Sequence, residues 1–206
     1  SSDDPNTSVR TVAFQINDGG AANNLSNQPT RTITVAAVND PPTANAFANL
    51  PAQAGIPIVY PAGKLGGTDL EAGTTITIDL TPINVTNGTV SLNANGSFTF
   101  TPLPATTTGS FQYRVSDNGN PAPGVNGAYA TVSFTVAGPA IYFVKSAAVG
   151  LANCTLGNEC TLATALSNIG ASANARIFIS DANSHGSAVP LNSGGWLIGQ
   201  GVTGTT

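Results

Sequence analysis

The sequence has little charge, little sulfur and almost no histidine. Its 206 residues include six basic and ten acidic side chains, a formal net charge of −4, with two Cys, one His and no Met. A chain with this charge repels phosphate backbones, so we expect no nucleic-acid partner. The lone His185 gives neither a metal-hydrolase triad nor a Ser-His-Asp arrangement, so we expect no enzymatic activity. No apolar run approaches the roughly 18 residues that span a bilayer, so we expect no membrane-spanning segment.

The chain is instead rich in small polar residues, glycine and proline. It has 23 Gly, 14 Pro and 41% hydrophobic residues, so its surface must be built mainly from Thr, Asn, Ser and Gly. These residues favour extended structure and tight turns. We therefore expect an all-β protein that is secreted or lies at a cell surface. Residues 1–5 include no Met and no signal-peptide pattern, so we expect a processed product or part of a longer chain.

An internal repeat indicates the architecture. Residues 14–19 align with 113–118, and residues 32–35 align with 133–136, at offsets of 99 and 101 positions. In both copies an alternating strand runs into a turn at an aspartate, and a second alternating strand follows, which is typical of a β-hairpin. The repeat length is that of a small β-sandwich. Because so few residues precede the first copy, residues 1–38 are predicted to be the closing hairpin of an incomplete sandwich.

The second copy predicts a complete domain over residues 39–138. Seven short strands are expected, at 44–50, 56–60, 75–80, 89–92, 97–101, 109–116 and 128–136. The turn signals Asn87-Gly88 and Asn95-Gly96 supply the positive φ angles that tight hairpins need. Short strands with this punctuation indicate an antiparallel Greek-key β-sandwich.

Four motifs in this part of the chain stand out. They are Val38-Asn39-Asp40-Pro41-Pro42, Gly88-Thr89-Val90, the run 95–102 and the run 111–117. They resemble the cadherin-like and Ig-like repeats of giant bacterial surface proteins, over about residues 1–138. The resemblance implies a cadherin/Ig-like sandwich with a structural or adhesive role at the bacterial cell surface.

Six of the ten acidic residues are predicted to converge between two domains. In an Ig-type sandwich the N-terminus, the B–C loop and the F–G loop lie at one end. The candidates are Asp3 and Asp4 from the first fragment, Asn39 and Asp40 at the junction, Asp69 and Glu71 in the B–C loop, and Asp117 in the F–G turn. Ca²⁺ takes about six to eight oxygen ligands in irregular geometry, and the cadherins that this region resembles stiffen their junctions with it. We predict an interdomain Ca²⁺ of weak affinity; the alternative is that these residues only serve turns.

The last third of the chain shows a different β pattern. Strands are predicted at 141–144, 176–180 and 196–199, with a short helix between the first two. Thr161 is the expected N-cap, and Leu162, Leu166 and Ile169 form an apolar stripe at helical spacing. Gly170 fits the position that ends the helix.

Residues 160–166 read Cys-Thr-Leu-Ala-Thr-Ala-Leu. This run resembles the Cys-Ser/Thr-Leu-Arg-Glu-Ala-Ile motif that opens secreted right-handed parallel β-helix proteins, with Ala163-Thr164 in place of the Arg-Glu pair. The resemblance implies that residues 139–206 form the N-terminal cap and first coils of a parallel β-helix. A cap is needed because the open end of a solenoid exposes its core and its strand edges.

Cys154 and Cys160 are the only cysteines. Their C-x₅-C spacing does not fit a zinc knuckle or a thioredoxin-like pair. In an exported chain we expect a disulfide that closes a small loop, worth about 2 kcal/mol. The alternative is two free thiols in a cytosolic chain.

Three functions are compatible with these patterns. We favour a non-enzymatic structural or adhesive segment of a large bacterial extracellular protein, which could also be the repeating unit of a fibre whose subunits pair by β-augmentation. The expected partners are neighbouring domains of a longer chain or identical subunits in a fibre, and either surface glycans or a host or cell surface. The second reading is a set of accessory modules of a secreted polysaccharide-degrading β-helix enzyme. The third is a pair of carbohydrate-binding modules, which the 6% aromatic content disfavours.

Overall fold

The computed structural model describes residues 4–148, 153–170, 174–183 and 194–199. A two-stranded hairpin comes first, formed by β1 (Arg10–Ala13) and β2 (Thr30–Ile33). The sandwich strands follow: β3 (Thr43–Ala44), β4 (Phe47–Gln53), β5 (Ile58–Tyr60), β6 (Gly67–Thr68), β7 (Thr77–Ile78), β8 (Ile83–Thr86), β9 (Gly88–Leu92), β10 (Phe98–Pro102), β11 (Thr108–Tyr113), β12 (Val115–Ser116) and β13 (Ala130–Ala137). The last elements are β14 (Ile141–Val144), α1 (Leu162–Ile169), β15 (Arg176–Ile179) and β16 (Trp196–Gly199).

Two main sheets form the sandwich. One has the order β5-β10-β9 and the other the order β4-β13-β11-β8, with the short pairs β3-β6 and β12-β7 beside them. The prediction of an all-antiparallel sandwich is wrong at one place, because β4 pairs with β13 in parallel. The first strand divides at Asn45 and Ala46: β3 pairs with β6, whereas β4 crosses to the other sheet. There it runs in the same direction as the last strand, which produces the parallel pair.

Aromatic rings fill the space between the two sheets. Phe98, Phe100, Phe111 and Phe134 are at most 1% exposed, and the rings of Phe100 and Phe134 stack at a centroid distance of 3.9 Å. They come from alternate positions of β10, β11 and β13, as the period of a half-buried strand requires. Burial of rings at these positions contributes to the driving force for folding of this domain.

The hairpin of β1 and β2 repeats the hairpin of β11 and β13 in the same register. Arg10 pairs with Ile33, and the residues at the predicted offsets, Gly109 and Phe134, also pair. The agreement extends to the turns, because the Asp18 amide donates to Asn24 at 3.0 Å and the Asp117 amide to Val125 at 3.1 Å. The alignment made from the sequence is therefore a structural repeat.

The two hairpins differ in what covers them. Phe14 and Ile16 are 53% and 72% exposed, whereas the residues at their equivalent positions, Tyr113 and Val115, are fully buried. Ile33 is 46% exposed, and its equivalent Phe134 is 1% exposed. Among the described residues, the first hairpin thus presents an apolar face that the second buries against a sheet.

The C-terminal unit contains a parallel sheet with the order β14-β15-β16. The predicted helix is confirmed as α1: the Thr161 side chain accepts a hydrogen bond from the Thr164 amide, and Leu162 and Ile169 are buried. The helix is too short and insufficiently apolar to cross a membrane, and no other helix occurs in the described ranges. The predicted disulfide is confirmed, with an S–S distance of 2.04 Å between Cys154 and Cys160. His185 lies outside the described residues.

Two hydrogen bonds, one backbone and one from a side chain, join the sandwich to this C-terminal unit. The Leu156 amide, inside the disulfide loop, donates to the Gly55 carbonyl at 3.0 Å, and the Gln53 side-chain amide donates to the Pro139 carbonyl at 3.3 Å. Gly55 has a φ of +77°, and a Cβ atom there would lie 2.2 Å from the Ile141 carbonyl oxygen. Only glycine therefore fits at this contact.

Candidate metal centre

The junction before β3 meets the F–G loop through a side-chain contact. The Asn39 amide lies 3.2 Å from Oδ2 and 3.3 Å from Oδ1 of Asp117. The same Oδ1 accepts the amides of Gly119 and Val125, each at 2.9 Å. Asp117 therefore closes its own loop, as turn aspartates do, and also holds the junction.

The B–C loop meets the junction at a neighbouring position. Glu71 lies in the loop between β6 and β7, and its Oε1 accepts the Asp40 amide at 2.8 Å. The Glu71 side chain is only 4% exposed, although it ends in a carboxylate. A buried carboxylate is costly unless its oxygens are paired.

The pairing of the two B–C loop carboxylates is incomplete. Oδ2 of Asp69 and Oε2 of Glu71 are buried and have no hydrogen-bond partner in the structure. The Asp40 amide lowers the pKa of Glu71. Three effects raise this pKa and together outweigh the amide: burial, a hydrogen bond between the acid form of Glu71 and Asp69, and the negative charge of Asp69. The pKa of Glu71 therefore lies above its ordinary value. When both carboxylates are ionised, this corner therefore lacks a positive or donating partner for two oxygens.

The structure does not assemble the seven predicted ligands into one shell. Asp3 lies outside the described residues. In the described part of the chain, no three acidic, histidine or cysteine side chains are grouped closely enough to hold a metal ion. Asn39 and Asp117 pair through their side chains, whereas the Glu71 side chain accepts the backbone amide of Asp40 and neighbours the Asp69 carboxylate. Calcium at this end stays a prediction.

Two asparagines that the sequence analysis missed connect these loops. The Asn120 amide donates to Oδ1 of Asn39 at 2.9 Å, and its side chain donates to the Ala72 carbonyl at 3.0 Å. The Asn118 side chain accepts the Thr75 amide at 2.7 Å. The run Asn118-Gly119-Asn120-Pro121 was the available signal, because asparagines flanking glycine and proline commonly bond to nearby backbone.

Two packed sheets that share a divided first strand, with loops gathered at one end, define an Ig-type β-sandwich. Residues 39–136 match the family model of the bacterial Ig domain, so this region is a bacterial Ig-like domain. Domains of this kind are typical of surface and secreted proteins. No curated protein matches the sequence.

Three solved structures show distant similarity. A nucleoside hydrolase-related hypothetical protein of Saccharophagus degradans, associated with carbohydrate metabolism, has 17% identity and a TM-score of 0.36 over 49% of this chain and 26% of that one. The EC1–2 fragment of human protocadherin-24 has 17% identity and a TM-score of 0.34 over 63% and 66%. An endo-fucoidan hydrolase of glycoside hydrolase family 107 has 14% identity and a TM-score of 0.26 over 64% and 19%. The chain thus spans only 26% of the first of these proteins.

Proposed function

We propose that the chain is a non-enzymatic structural or adhesive segment of a larger bacterial extracellular or cell-surface protein, built from β modules joined end to end. The observation that carries this proposal is the repeat of one hairpin in the same register, down to the turn hydrogen bonds. Repetition of a unit about 100 residues long is typical of tandem sandwiches. The low charge and the single histidine support a role without a reactive centre.

The first hairpin is the closing hairpin of a further sandwich. Its exposed Phe14, Ile16 and Ile33 occupy positions that the complete sandwich buries. Apolar side chains aligned on one face of a sheet need a covering layer to be stable in water. The cover would be a sheet equivalent to β5-β10-β9, supplied by a neighbouring domain of the same protein or by an identical subunit in a fibre.

The C-terminal unit is the start of a right-handed parallel β-helix. Paired residues of β15 and β16, such as Arg176 and Trp196, are 20 positions apart in the sequence. That separation suits one coil of a solenoid in which each strand pairs with the next. The helix α1 and the disulfide loop would form its cap.

Calcium stiffens the N-terminal end of the sandwich. Asp69 and Glu71 carry two buried and unpartnered oxygens, which are hard ligands of the type Ca²⁺ prefers. Asn39, Asp40 and Asp117 lie in the adjoining loops and would have to approach these two carboxylates when the ion binds. Asp3 and Asp4 of the preceding fragment are the other proposed ligands. A bound cation would supply the positive charge that offsets the repulsion between the two carboxylates.

Thermal melting in calcium and in chelator tests this proposal. With 10 mM calcium and a dissociation constant of about 1 mM, we expect the melting temperature of the sandwich to rise by about 5 °C. Glu71→Gln keeps an acceptor for the Asp40 amide and removes one charge, so it should melt no lower than the native protein in chelator yet lose the calcium shift. Asp18→Asn is the matched control, because Asp18 holds the position in the first hairpin that is equivalent to Asp117, and this variant should keep the calcium shift. Equal melting temperatures with and without calcium would remove the ion from the proposal.

A further inference from the structure

Two arginines lie on the apolar face of the first hairpin. Arg10 pairs across the strands with Ile33, and Arg31 pairs with Val12. Directly paired residues point to the same side of a sheet, as do residues two apart along one strand. Arg10, Arg31, Val12 and Ile33 therefore share one face, with the two arginines on its diagonal. The opposite face of these strands is uncharged and carries Thr11, Ala13, Thr30 and Thr32.

The complete sandwich has no charge at the two equivalent positions. The matching registers make Gly109 equivalent to Arg10 and Val132 equivalent to Arg31. Both residues of the sandwich are buried. A Cβ atom at Gly109 would lie 2.5 Å from the Phe100 ring, so this ring occupies the space where a side chain would start. The first hairpin thus has an arginine where the complete sandwich needs a glycine.

A copy of the sheet β5-β10-β9 therefore does not fit over the first hairpin. Its Phe100 would collide with the stem of Arg10, and its apolar surface would bury two guanidinium groups without partners. Buried charge without a partner is costly, because nothing replaces the lost hydration. Two hairpins packed face to face would instead bring four guanidinium groups together, and like charges repel. The cover is therefore neither this sheet of an identical subunit nor the same hairpin face of a second copy.

The charges of the two arginines are available to a partner of opposite sign. Neither arginine belongs to a salt bridge among the described residues, and the Arg10 guanidinium donates to the Asn6 carbonyl at 3.3 Å. An arginine can lay its stem over apolar neighbours while its guanidinium forms two parallel hydrogen bonds with a carboxylate. A nucleic acid or an anionic glycan would supply the charge but would leave Phe14 and Ile33 exposed to water. The face therefore suits a protein surface that is apolar and carries carboxylates.

We propose that the cover of the first hairpin is a β layer of a neighbouring domain whose apolar side chains are interrupted by carboxylates opposite Arg10 and Arg31. The layer takes the place that β5-β10-β9 has in the complete sandwich, and it has a small or acidic residue where that sheet has Phe100. Each carboxylate pairs with one guanidinium and thereby satisfies a charge that the cover removes from water. This inference rests on the proposed function, in which the hairpin closes a further sandwich, and it specifies the chemistry of the cover.

Peptide titrations of the full chain, followed by ¹⁵N NMR at low ionic strength, test the inference. The probe is the capped peptide Val-Thr-Glu-Thr-Val-Thr-Glu-Thr-Val, which as a strand has valine and glutamate on one face and threonine on the other. Two further peptides have glutamine or lysine in place of glutamate. We expect the glutamate peptide to shift the amide signals of β1 and β2, the glutamine peptide to bind about fivefold more weakly, and the lysine peptide to bind least.

Charge variants of the chain identify the two arginines as the contact. Arg10→Gln with Arg31→Gln keeps polar side chains and removes both charges, so it should bind the glutamate peptide about fivefold more weakly than the native protein does. Arg10→Glu with Arg31→Glu should reverse the preference and bind the lysine peptide. Lys64→Gln with Arg176→Gln removes the same net charge outside the hairpin, so it is the matched control and should bind as the native protein does.

Several results would overturn the inference. They are no shift of β1 and β2 with the glutamate peptide, equal binding of the glutamate and lysine peptides, and equal binding by the Arg10→Gln, Arg31→Gln protein and its control. If the peptides fail and Arg10→Gly with Arg31→Val makes the chain self-associate, the arginines only keep exposed apolar faces apart. Because the calcium test does not involve this face, a calcium shift without peptide binding would remove the acidic cover and leave the structural role standing.

Discussion

At the scale of single residues, Asp79 and Arg114 form an ion pair between the ends of β7 and β11. The Thr81 amide donates to Asp79 at 3.0 Å and the Arg114 guanidinium approaches it at 3.0 Å, and both lower the pKa of Asp79. The pair is partly exposed, so its contribution is modest.

This pair predicts a specific dependence of stability on pH. Because the pKa of Asp79 is lower in the folded than in the unfolded protein, its stabilising effect is full above the unfolded value of 3.8 and is lost as the pH falls through the folded value. We expect Asp79→Asn to lower the free energy of unfolding by about 0.5–1 kcal/mol at pH 7. Urea denaturation of the native protein and of Asp79→Asn at pH 7 and pH 2.5 measures this difference in the free energy of unfolding. A difference that is equally large at both pH values would contradict a stabilising role for the Asp79 charge.

The sequence predicts which loops hold these residues but not the contacts that the residues make. Asp69 and Glu71 were placed in the B–C loop and Asp117 in the F–G turn, because short strands and acidic turns can be located by pattern. That Glu71 is buried, with one oxygen on the Asp40 amide, depends on how two distant loops pack. The bridging role of Asn120 depends on the same packing and has no local signature.

At the scale of elements, the first hairpin differs from its equivalent in burial and agrees with it in hydrogen bonding. The Ser26 amide donates to Ile16 at 2.8 Å, and the equivalent Gly127 amide donates to Val115 at 2.9 Å. Val115 is fully buried, whereas Ile16 is 72% exposed. Two equivalent hydrogen bonds of nearly equal length thus lie in different surroundings, one at an exposed residue and one at a buried residue.

We expect amide hydrogen exchange to separate the two hairpins. In the 206-residue chain at low concentration, the Ser26 amide should exchange at least about a hundredfold faster than the Gly127 amide, because a hairpin without a covering layer opens at little cost. A concentration series distinguishes coverage by a second copy, which would slow exchange of Ser26 as concentration rises. If the Ser26 and Gly127 amides were equally protected and stayed so on dilution, this would contradict the view that the apolar face of the first hairpin is uncovered.

The disulfide loop carries a second expectation at this scale. Replacing Cys154 and Cys160 by Ser should destabilise the C-terminal unit by about 2 kcal/mol, because the unfolded chain regains the freedom of a short loop. Trp196 is the sole tryptophan and lies in β16, so its fluorescence reports on this unit. We expect the fluorescence midpoint in urea to fall while the aromatic circular dichroism of the sandwich keeps its midpoint. A loss of both transitions together would contradict a local role for the disulfide.

Most elements were predictable from the sequence, and the exceptions have physical reasons. The apolar residues of α1 recur at helical spacing, and those of the long strands alternate with polar residues, so both patterns can be recognised in the sequence. The strand β8 was missed because it is only four residues long and follows directly after Thr81-Pro82, with a positive φ at Asn84. The parallel pairing of β4 was missed because the alternation of a strand does not show which neighbour it joins.

At the scale of the whole molecule, the contact between the sandwich and the C-terminal unit decides whether the chain can act as a scaffold. Three residues separate β13 from β14, and the disulfide loop returns to bond with Gly55. Lys145, which follows β14, pairs at 3.2 Å with Glu159 inside this loop. A short connection, together with the hydrogen bonds of Leu156 to Gly55 and of Gln53 to Pro139, should prevent the two units from rotating independently.

Backbone ¹⁵N relaxation of the full chain tests this rigid connection most directly. We expect residues of β10 in the sandwich and of β14 and β15 in the C-terminal unit to report the same rotational correlation time. Gly55→Ala places a Cβ atom against the Ile141 carbonyl oxygen, so it should shorten the correlation time of β14 and β15 alone. Gly63→Ala is the control, because Gly63 also has a positive φ but a Cβ atom there meets open space. A markedly shorter correlation time for β14 and β15 in the native protein would contradict the account of this chain as a rigid scaffold.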